Sequence, residues 1–355
     1  MIPISEPKTN DVLTDVGEYA LHRWLAETLR DTSPTLVRGA GDDCAVLDVG
    51  IPDSYLLATS DRVPLLTDPA ETGRFAVVHN VSDVLSMRGT PIGLLLNIYL
   101  PRDASVDSFK RIVLGAREAC LEFGTVVIGG DTKEDSKSTV VGTCLGLVRK
   151  SDLLLRSTAR TGDVVAVTRT PGKQLGLRWA YWTAKYFGVA REKHDRLHAS
   201  YLDQLRIPYE IMNGLQGVEG VTSGIDMTEG LLGACAIVAG ESGVSITLDE
   251  ELLELLVDDE VRSVARELDK PPVTMLLSPG FDWENLLTLE PASAQQIIGQ
   301  FPGQILPIGR VGPGEGVHQE SRGGSRRFKI FSDQKFQRYA WENSAQAWAD
   351  HEWFD

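Results

Sequence analysis

The chain has 355 residues, 42% hydrophobic and 24% charged, enough to bury a sizeable core and more than one compact unit of ordinary size holds. Its 35 Lys and Arg against 50 Asp and Glu give a net charge of −15, which argues against a general polyanion-binding surface and against nucleic acid or acidic lipid as the main partner. The four cysteines, Cys44, Cys120, Cys144 and Cys235, stand far apart without a CxxC pair, so neither a disulfide framework nor a zinc site is indicated and a reducing cytoplasm fits.

Met1 to Glu6 offers neither a basic n-region nor an apolar h-region, and no apolar run approaches the roughly 20 residues that span a bilayer, so neither an export signal nor a membrane span is expected. Apolar residues at near-helical spacing predict a first helix between Gly17 and Leu29. Two short strands follow, Cys44–Leu47 and Tyr55–Thr59, with Asp42 and Asp43 before the first and Asp61 after the second. From Thr72 to Met87 the pattern is helical, with Asn80 and Asp83 three apart on a face away from the apolar stripe. A strand at Ile92–Leu100, an amphipathic helix at Asp107–Phe123, a buried strand at Thr125–Ile128 and an alternating strand at Thr139–Val148 complete a β-β-α-β-α-β-β order, an α+β layer with helices on one side.

The turn-rich stretch from Arg149 to Asp163 puts a boundary near residue 155, dividing the chain into 1–155, 156–313 and a remainder, 314–355. The second part opens with a strand at Val164–Val167 and a helix carrying Leu175, Trp179, Trp182 and Tyr186. A helix at Gly230–Ala239 and a strand at Val244–Leu248 come later. Residues 314–327 read as an exposed loop, and Trp341, Trp348 and Trp353 as an amphipathic tail helix.

Asp42, Asp43, Asp61, Asp83 and Asp131 all stand where apolar elements begin, end or expose a polar face. Carboxylates that converge at one end of a sheet repel each other unless a cation sits among them, and oxygen ligands in this number suit Mg²⁺ with substrate phosphates as further ligands. Gly129-Gly130 beside Asp131, and Gly39-Ala40-Gly41 before Asp42, would let backbone approach a phosphate closely. The signatures GxxxxGK[ST], GxGxxG after a strand, GxSxG and HExxH are missing, which demotes a P-loop kinase, a Rossmann dehydrogenase and an α/β-hydrolase.

These residues resemble the superfamily of aminoimidazole ribonucleotide synthetase, selenophosphate synthetase and thiamine-monophosphate kinase. Gly39 to Leu47, G-A-G-D-D-C-A-V-L, looks like the kinase's G-I-G-D-D-A-A-V, and Gly17-Glu18-Tyr19 resembles its opening G-E-F. Thr59-Ser60-Asp61 is similar to T-T-D, Asn80-Val81-Ser82-Asp83 to N-L-S-D, and Gly129-Gly130-Asp131-Thr132 to G-G-D-T. Leu155 to Asp163 looks like L-R-S-G-A-x-P-G-D, and Asp226 to Leu231 like D-I-S-D-G-L. Seven short motifs recur in order between about residue 17 and residue 312, with spelling nearest to the thiamine-monophosphate kinases.

The resemblance implies a two-domain PurM-like architecture: an N-terminal four-stranded sheet that pairs with a second subunit into a dimeric barrel, and a C-terminal α+β domain. It implies Mg²⁺ and ATP near the subunit interface, held by Asp42, Asp43, Asp61, Asp83 and Asp131. Asn80, Gly129, Gly130, Thr132 and Arg156 would line the nucleotide, and Asp226 or Glu229 would act as general base. Three departures bear on the acceptor. After T-T-D the kinases continue M-L-V-E-G-V-H-F, whereas Arg62 to Pro69 carries no His. Glu229 replaces the second Asp of D-I-S-D-G, and Ser278 to Asn285 stands where the kinases have G-G-E-D-Y-E-L. Trp283 is expected to wall the acceptor pocket, with Arg62 or Arg74 supplying charge.

The reading is ATP- and Mg²⁺-dependent phosphoryl transfer to a small-molecule acceptor by a cytoplasmic homodimer. The alternatives are a synthetase that activates an amide or carboxylate oxygen, and a non-catalytic nucleotide-binding protein.

Overall fold

The computed structural model describes residues 18–29, 33–63, 65–330 and 341–355. Gly17 of the opening motif and the start of the tail, from Phe336, lie outside the described residues, as does the side chain of Trp341. The chain divides into two compact units: one holds Thr32–Leu154 with Leu205–Gly217, the other Met1–Asp31, Leu155–Gln204 and Val218–Asp355.

A first helix, α1 (Glu18–Thr28), precedes the first unit. That unit then runs β1 (Leu36–Arg38), β2 (Ala45–Leu47), β3 (Ser54–Val63), α2 (Pro69–Ser86), β4 (Thr90–Leu100), α3 (Val106–Glu122), β5 (Val127–Gly129), β6 (Thr132–Glu134) and β7 (Thr139–Arg149). The strands form one sheet in the order β1-β2-β3-β7-β4-β5, with β6 also paired to β4. The expectation of four strands is corrected to seven. Three of the additions or near-misses, β1, β5 and β6, are only three residues long and too short for any period to register.

Asp68 opens α2 by accepting from Ala70 N at 2.8 Å, with Pro69 at the first helical position. Ser105 does the same for α3 from Ser108 N at 3.0 Å. The buried alternates of β7, Val140, Gly142, Cys144, Gly146 and Val148, face the helices, while Thr139, Val141, Thr143, Leu145 and Leu147 form a half-exposed opposite face. Ile92, Val126 and Ile128 extend that outer face and are largely exposed.

After Gln204 the chain returns to the first unit, a crossing the composition does not announce. The helix there spans Tyr209–Gly214. Arg74 Nε donates to Leu205 O at 3.1 Å, Arg88 donates to Leu215 O, and the Phe123 and Tyr209 rings meet at 5.6 Å.

The second unit is built on another seven-stranded sheet, continuing the numbering as β8 (Val164–Thr168), β9 (Val221–Asp226), β10 (Ser245–Asp249), β11 (Asn285–Leu289), β12 (Ile305–Gly312), β13 (Gly316–Ser321) and β14 (Gly324–Arg327). Its order is β14-β13-β10-β12-β8-β11-β9. The helices Leu177–Phe187 and Gly230–Ser242 appear where helical spacing predicts them. Residues 314–327 are not a loop. Val317 and Gln319 are buried on alternate positions of β13, which pairs with β10, and a single apolar residue in that alternation was too little to signal a strand. In the tail, Trp348 is buried and its ring lies 6.3 Å edge-on from Trp179.

α2 and α3 approach closely enough that each needs glycine at the contact. A Cβ on Gly73 would stand 1.9 Å from Ile112 O, and one on Gly115 would stand 2.0 Å from Ala70 O. Alanine at either site gains about 1 kcal/mol in helix propensity but collides with backbone that cannot rotate away. Gly73→Ala and Gly115→Ala are therefore each expected to lower stability by about 2–3 kcal/mol net. Thermal unfolding checks this, and a variant as stable as the parent would contradict the packing.

Candidate active site

Asp61 lies near the end of β3, opposite Gly142 of β7, and Asp83 lies in the last turn of α2 beneath it. One hydroxyl links them: Thr59 Oγ1 is 2.7 Å from Asp83 Oδ2 and 3.3 Å from Asp61 Oδ2. Asp43, buried in the bend before β2, brings a carboxylate oxygen within 4.8 Å of one on Asp83. Asp42 accepts from Asp43 N at 3.1 Å and pairs with Arg38 Nε at 3.4 Å. The Cys44 thiol is pushed well above its ordinary range, first by burial and then by the charges of Asp83 and Asp43.

Asn80, expected to line the nucleotide, has a different task. It is fully buried; its Oδ1 accepts from Asp61 N at 3.2 Å and its Nδ2 donates to Ala76 O at 2.9 Å. The amide pins β3 to α2 and so fixes the distance from Asp61 to Asp83. Gly142 makes room for it, since a Cβ there would stand 2.4 Å from Asn80 Nδ2.

Asp131 belongs to the same end of the sheet but not to the same group. Its N donates to Asn97 Oδ1 at 2.8 Å and its O accepts from Ile98 N at 2.9 Å, so it is held at β4, with β7 between β4 and β3. Three strand spacings, roughly 14 Å, separate it from Asp61 within one chain. Its Oδ1 accepts from Thr132 N at 2.9 Å, and Lys133 Nζ lies 3.4 Å from Oδ2. Gly129 and Thr132 are exposed beside it. Gly130, at φ +145°, would put a Cβ 1.9 Å from Leu96 O, so only glycine lets the chain cross there.

Arg156, Asp226 and Glu229 lie in the second unit. Arg156 O accepts from Ser223 Oγ at 3.3 Å and Ser242 Oγ at 3.0 Å. Asp226 ends β9, is buried, and accepts from Thr228 Oγ1 at 3.1 Å; Glu229 is exposed at the head of the Gly230–Ser242 helix. The segment Ser278–Asn285 is packed inward. Trp283 is 1% exposed and, with Lys173, Arg178, Tyr201 and Phe281, lines only a very small cavity. Asp282 accepts from Gly176 N at 3.0 Å, and burial pushes its carboxyl up to about 6 against the pull of Lys173. Buried Lys173 donates to Asp282 O and lies 3.7 Å from Glu284. Arg74, expected near the acceptor, is spent on Glu122 at 2.6 Å.

Sequence reasoning missed Thr59, Asn97 and Lys173. Thr59 stood in a motif already noticed, whereas Asn97 and Lys173 carry no local signal because their partners are remote in sequence.

Residues 41–148 match the family model described as AIR synthase related protein, N-terminal domain. The thiamine-monophosphate kinase of Methanopyrus kandleri is 34% identical over 302 residues, covering 82% of this chain and 90% of that protein. That of Pyrococcus horikoshii is 30% identical over 285 residues, covering 78% and 84%. Among solved structures, AaThiL complexed with AMPPCP and TMP superimposes with a TM-score of 0.73 at 25% identity, covering 88% of this chain and 96% of that one. Both sheets, the order of the motifs and these relatives agree: the chain belongs to the AIR synthase-related family, together with the thiamine-monophosphate kinases, and is an ATP-using enzyme of kinase or synthetase type.

Proposed function

We propose that this enzyme transfers the γ-phosphoryl group of ATP to a small-molecule acceptor other than thiamine monophosphate, with Mg²⁺ held by Asp42, Asp43, Asp61, Asp83 and Asp131. The observation that carries the reading is the Asp61–Thr59–Asp83 link with Asp43 within 4.8 Å of Asp83. Two carboxylates at that separation repel by roughly 3 kcal/mol at an effective dielectric of about 20, and an all-oxygen donor set fits a hard divalent cation. Bound there, Mg²⁺ would neutralise charge that develops on the transferring phosphoryl group. The protein's own part is positioning. Asn80 and Thr59 fix the acids, Gly129, Gly130 and Thr132 present backbone to the phosphates, and Arg156 adds a cation. Asp226 and Glu229 are the base candidates, and Asp226 is the one the fold withdraws from solvent.

The acceptor reading rests on the second unit. The named relatives act on thiamine monophosphate, but here the stretch after Asp61 lacks a His, and Asp282, Trp283 and Glu284 are committed to interior contacts. Four buried, free cysteines suit a reducing cytoplasm. No helix among the described residues is long and apolar enough to cross a membrane.

A homodimer through the first sheet is part of the proposal. The outer face carrying Leu145, Leu147, Ile92 and Ile128 needs cover, and a second copy could bring its own Asp131 toward the Asp61 group that lies roughly 14 Å from Asp131 within one chain.

Three outcomes are expected. Asp83→Asn and Asp131→Asn should each weaken Mg–ATP binding at least about tenfold while the fold persists, because each removes a metal ligand and also relieves repulsion; unchanged affinity by calorimetry counts against the metal role. Sedimentation at micromolar concentration should show a dimer, and a stable monomer would sink the interface. Incubation with Mg–ATP and thiamine monophosphate should give little or no thiamine diphosphate. Turnover at roughly 1–100 per second, ordinary for kinases, would restore the plain kinase assignment.

A further inference from the structure

The two motifs of the second unit that depart from the kinases form one construction. Met227 N donates to Glu284 O at 2.8 Å, Phe281 N donates to Thr228 O at 3.3 Å, and a Cβ on Gly230 would stand 2.2 Å from Ser278 O. Asn285 opens β11 directly opposite Asp226 of β9, so the two side chains leave the sheet on the same face. The Thr168 hydroxyl, the Glu284 carboxylate and the Asn285 backbone N–H satisfy one another. Thr168 Oγ1 donates to Glu284 Oε2 at 2.5 Å and accepts from Asn285 N at 2.8 Å, while Glu284 Oε1 accepts from Thr170 N at 2.9 Å.

The Asn285 carboxamide itself is left out of this network. The residue is 0% exposed, and neither its Oδ1 nor its Nδ2 has a hydrogen-bond partner. A buried amide in that state is destabilising, and the next residues of β11, Leu286 and Leu287, show that the strand accepts apolar side chains without difficulty.

We propose that Asn285 is a specificity-determining residue of the acceptor site. Its carboxamide is kept unpartnered for an acceptor that presents one donor and one acceptor atom side by side, a carboxamide, next to Asp226. The inference rests on the phosphoryl-transfer reading above. Phe281 and Trp283, two bulky residues shortly before Asn285, both stand at φ +51°. A segment that holds them in the left-handed region stores strain and is the element that shifts when the acceptor enters.

Asn285→Leu keeps the side chain's branching and size and removes its polarity. Without ligands the variant should melt about 2–4 °C above the parent, since it no longer buries an unmatched amide. An equal or lower midpoint means that an internal water already satisfies the amide and overturns the inference. Release of ADP from Mg–ATP is then measured with matched pairs, glutamine against glutamate and nicotinamide against nicotinate. The parent should prefer the amide member of at least one pair, and the variant should lose that preference by about 10- to 100-fold while its affinity for Mg–AMPPCP stays within about twofold. A preference that survives in the variant overturns the assignment. A parent that binds Mg–AMPPCP but shows no amide preference overturns this inference alone, whereas a parent that binds no nucleotide overturns the phosphoryl-transfer reading and this inference with it.

Discussion

Mutual repulsion among carboxylates is the constraint around which the first unit is arranged. Asp43, Asp61 and Asp83 come from a bend, a strand end and a helix, so no local sequence preference brings them together. They are held by a hydroxyl shared between Asp61 and Asp83, by the Asn80 amide that ties β3 to α2, and by the absence of a side chain at Gly142. The close contact of α2 with α3 through Gly73 and Gly115 supplies the rigidity behind them. A cluster assembled at this cost across separate elements is what a site for a hard cation and phosphate oxygens requires.

The second unit meets a different difficulty, the burial of charge. Lys173, Asp282 and Glu284 are all withdrawn from water, and they are tolerable there only because each has partners: the Asp282 carbonyl for Lys173, the Gly176 amide for Asp282, and Thr168 and the Thr170 amide for Glu284. That network fixes the strained turn at Phe281 and Trp283 against the Asp226 strand. The segment that departs from the kinases is therefore a packed scaffold that buries the Asn285 amide.

Much of this was legible in the sequence where periods are long. The alternation of Thr139–Val148 and the stripes of α2 and α3 marked their elements, and the ordered acids marked the family. What stayed hidden depended on distant partners. The three-residue strands are created by their neighbours in the sheet. Leu205–Gly217 returns to the first unit because Arg74, Arg88 and Phe123 receive it there. Asn80 read as a ligand because its partners, Ala76 O and Asp61 N, are backbone atoms that no motif records. Asp131 read as part of one cluster because sequence order carries no information on the two strand partners that separate it from Asp61.

The claim on which the rest depends is that the acids at the end of the first sheet hold nucleotide through a divalent cation. Titration calorimetry of the full chain with AMPPCP, once with Mg²⁺ and once with EDTA, tests it most directly. The account predicts saturable binding with Mg²⁺ and loss of at least about tenfold in affinity without it, because bare triphosphate meets uncompensated carboxylates. Equal affinity in the two titrations would contradict it.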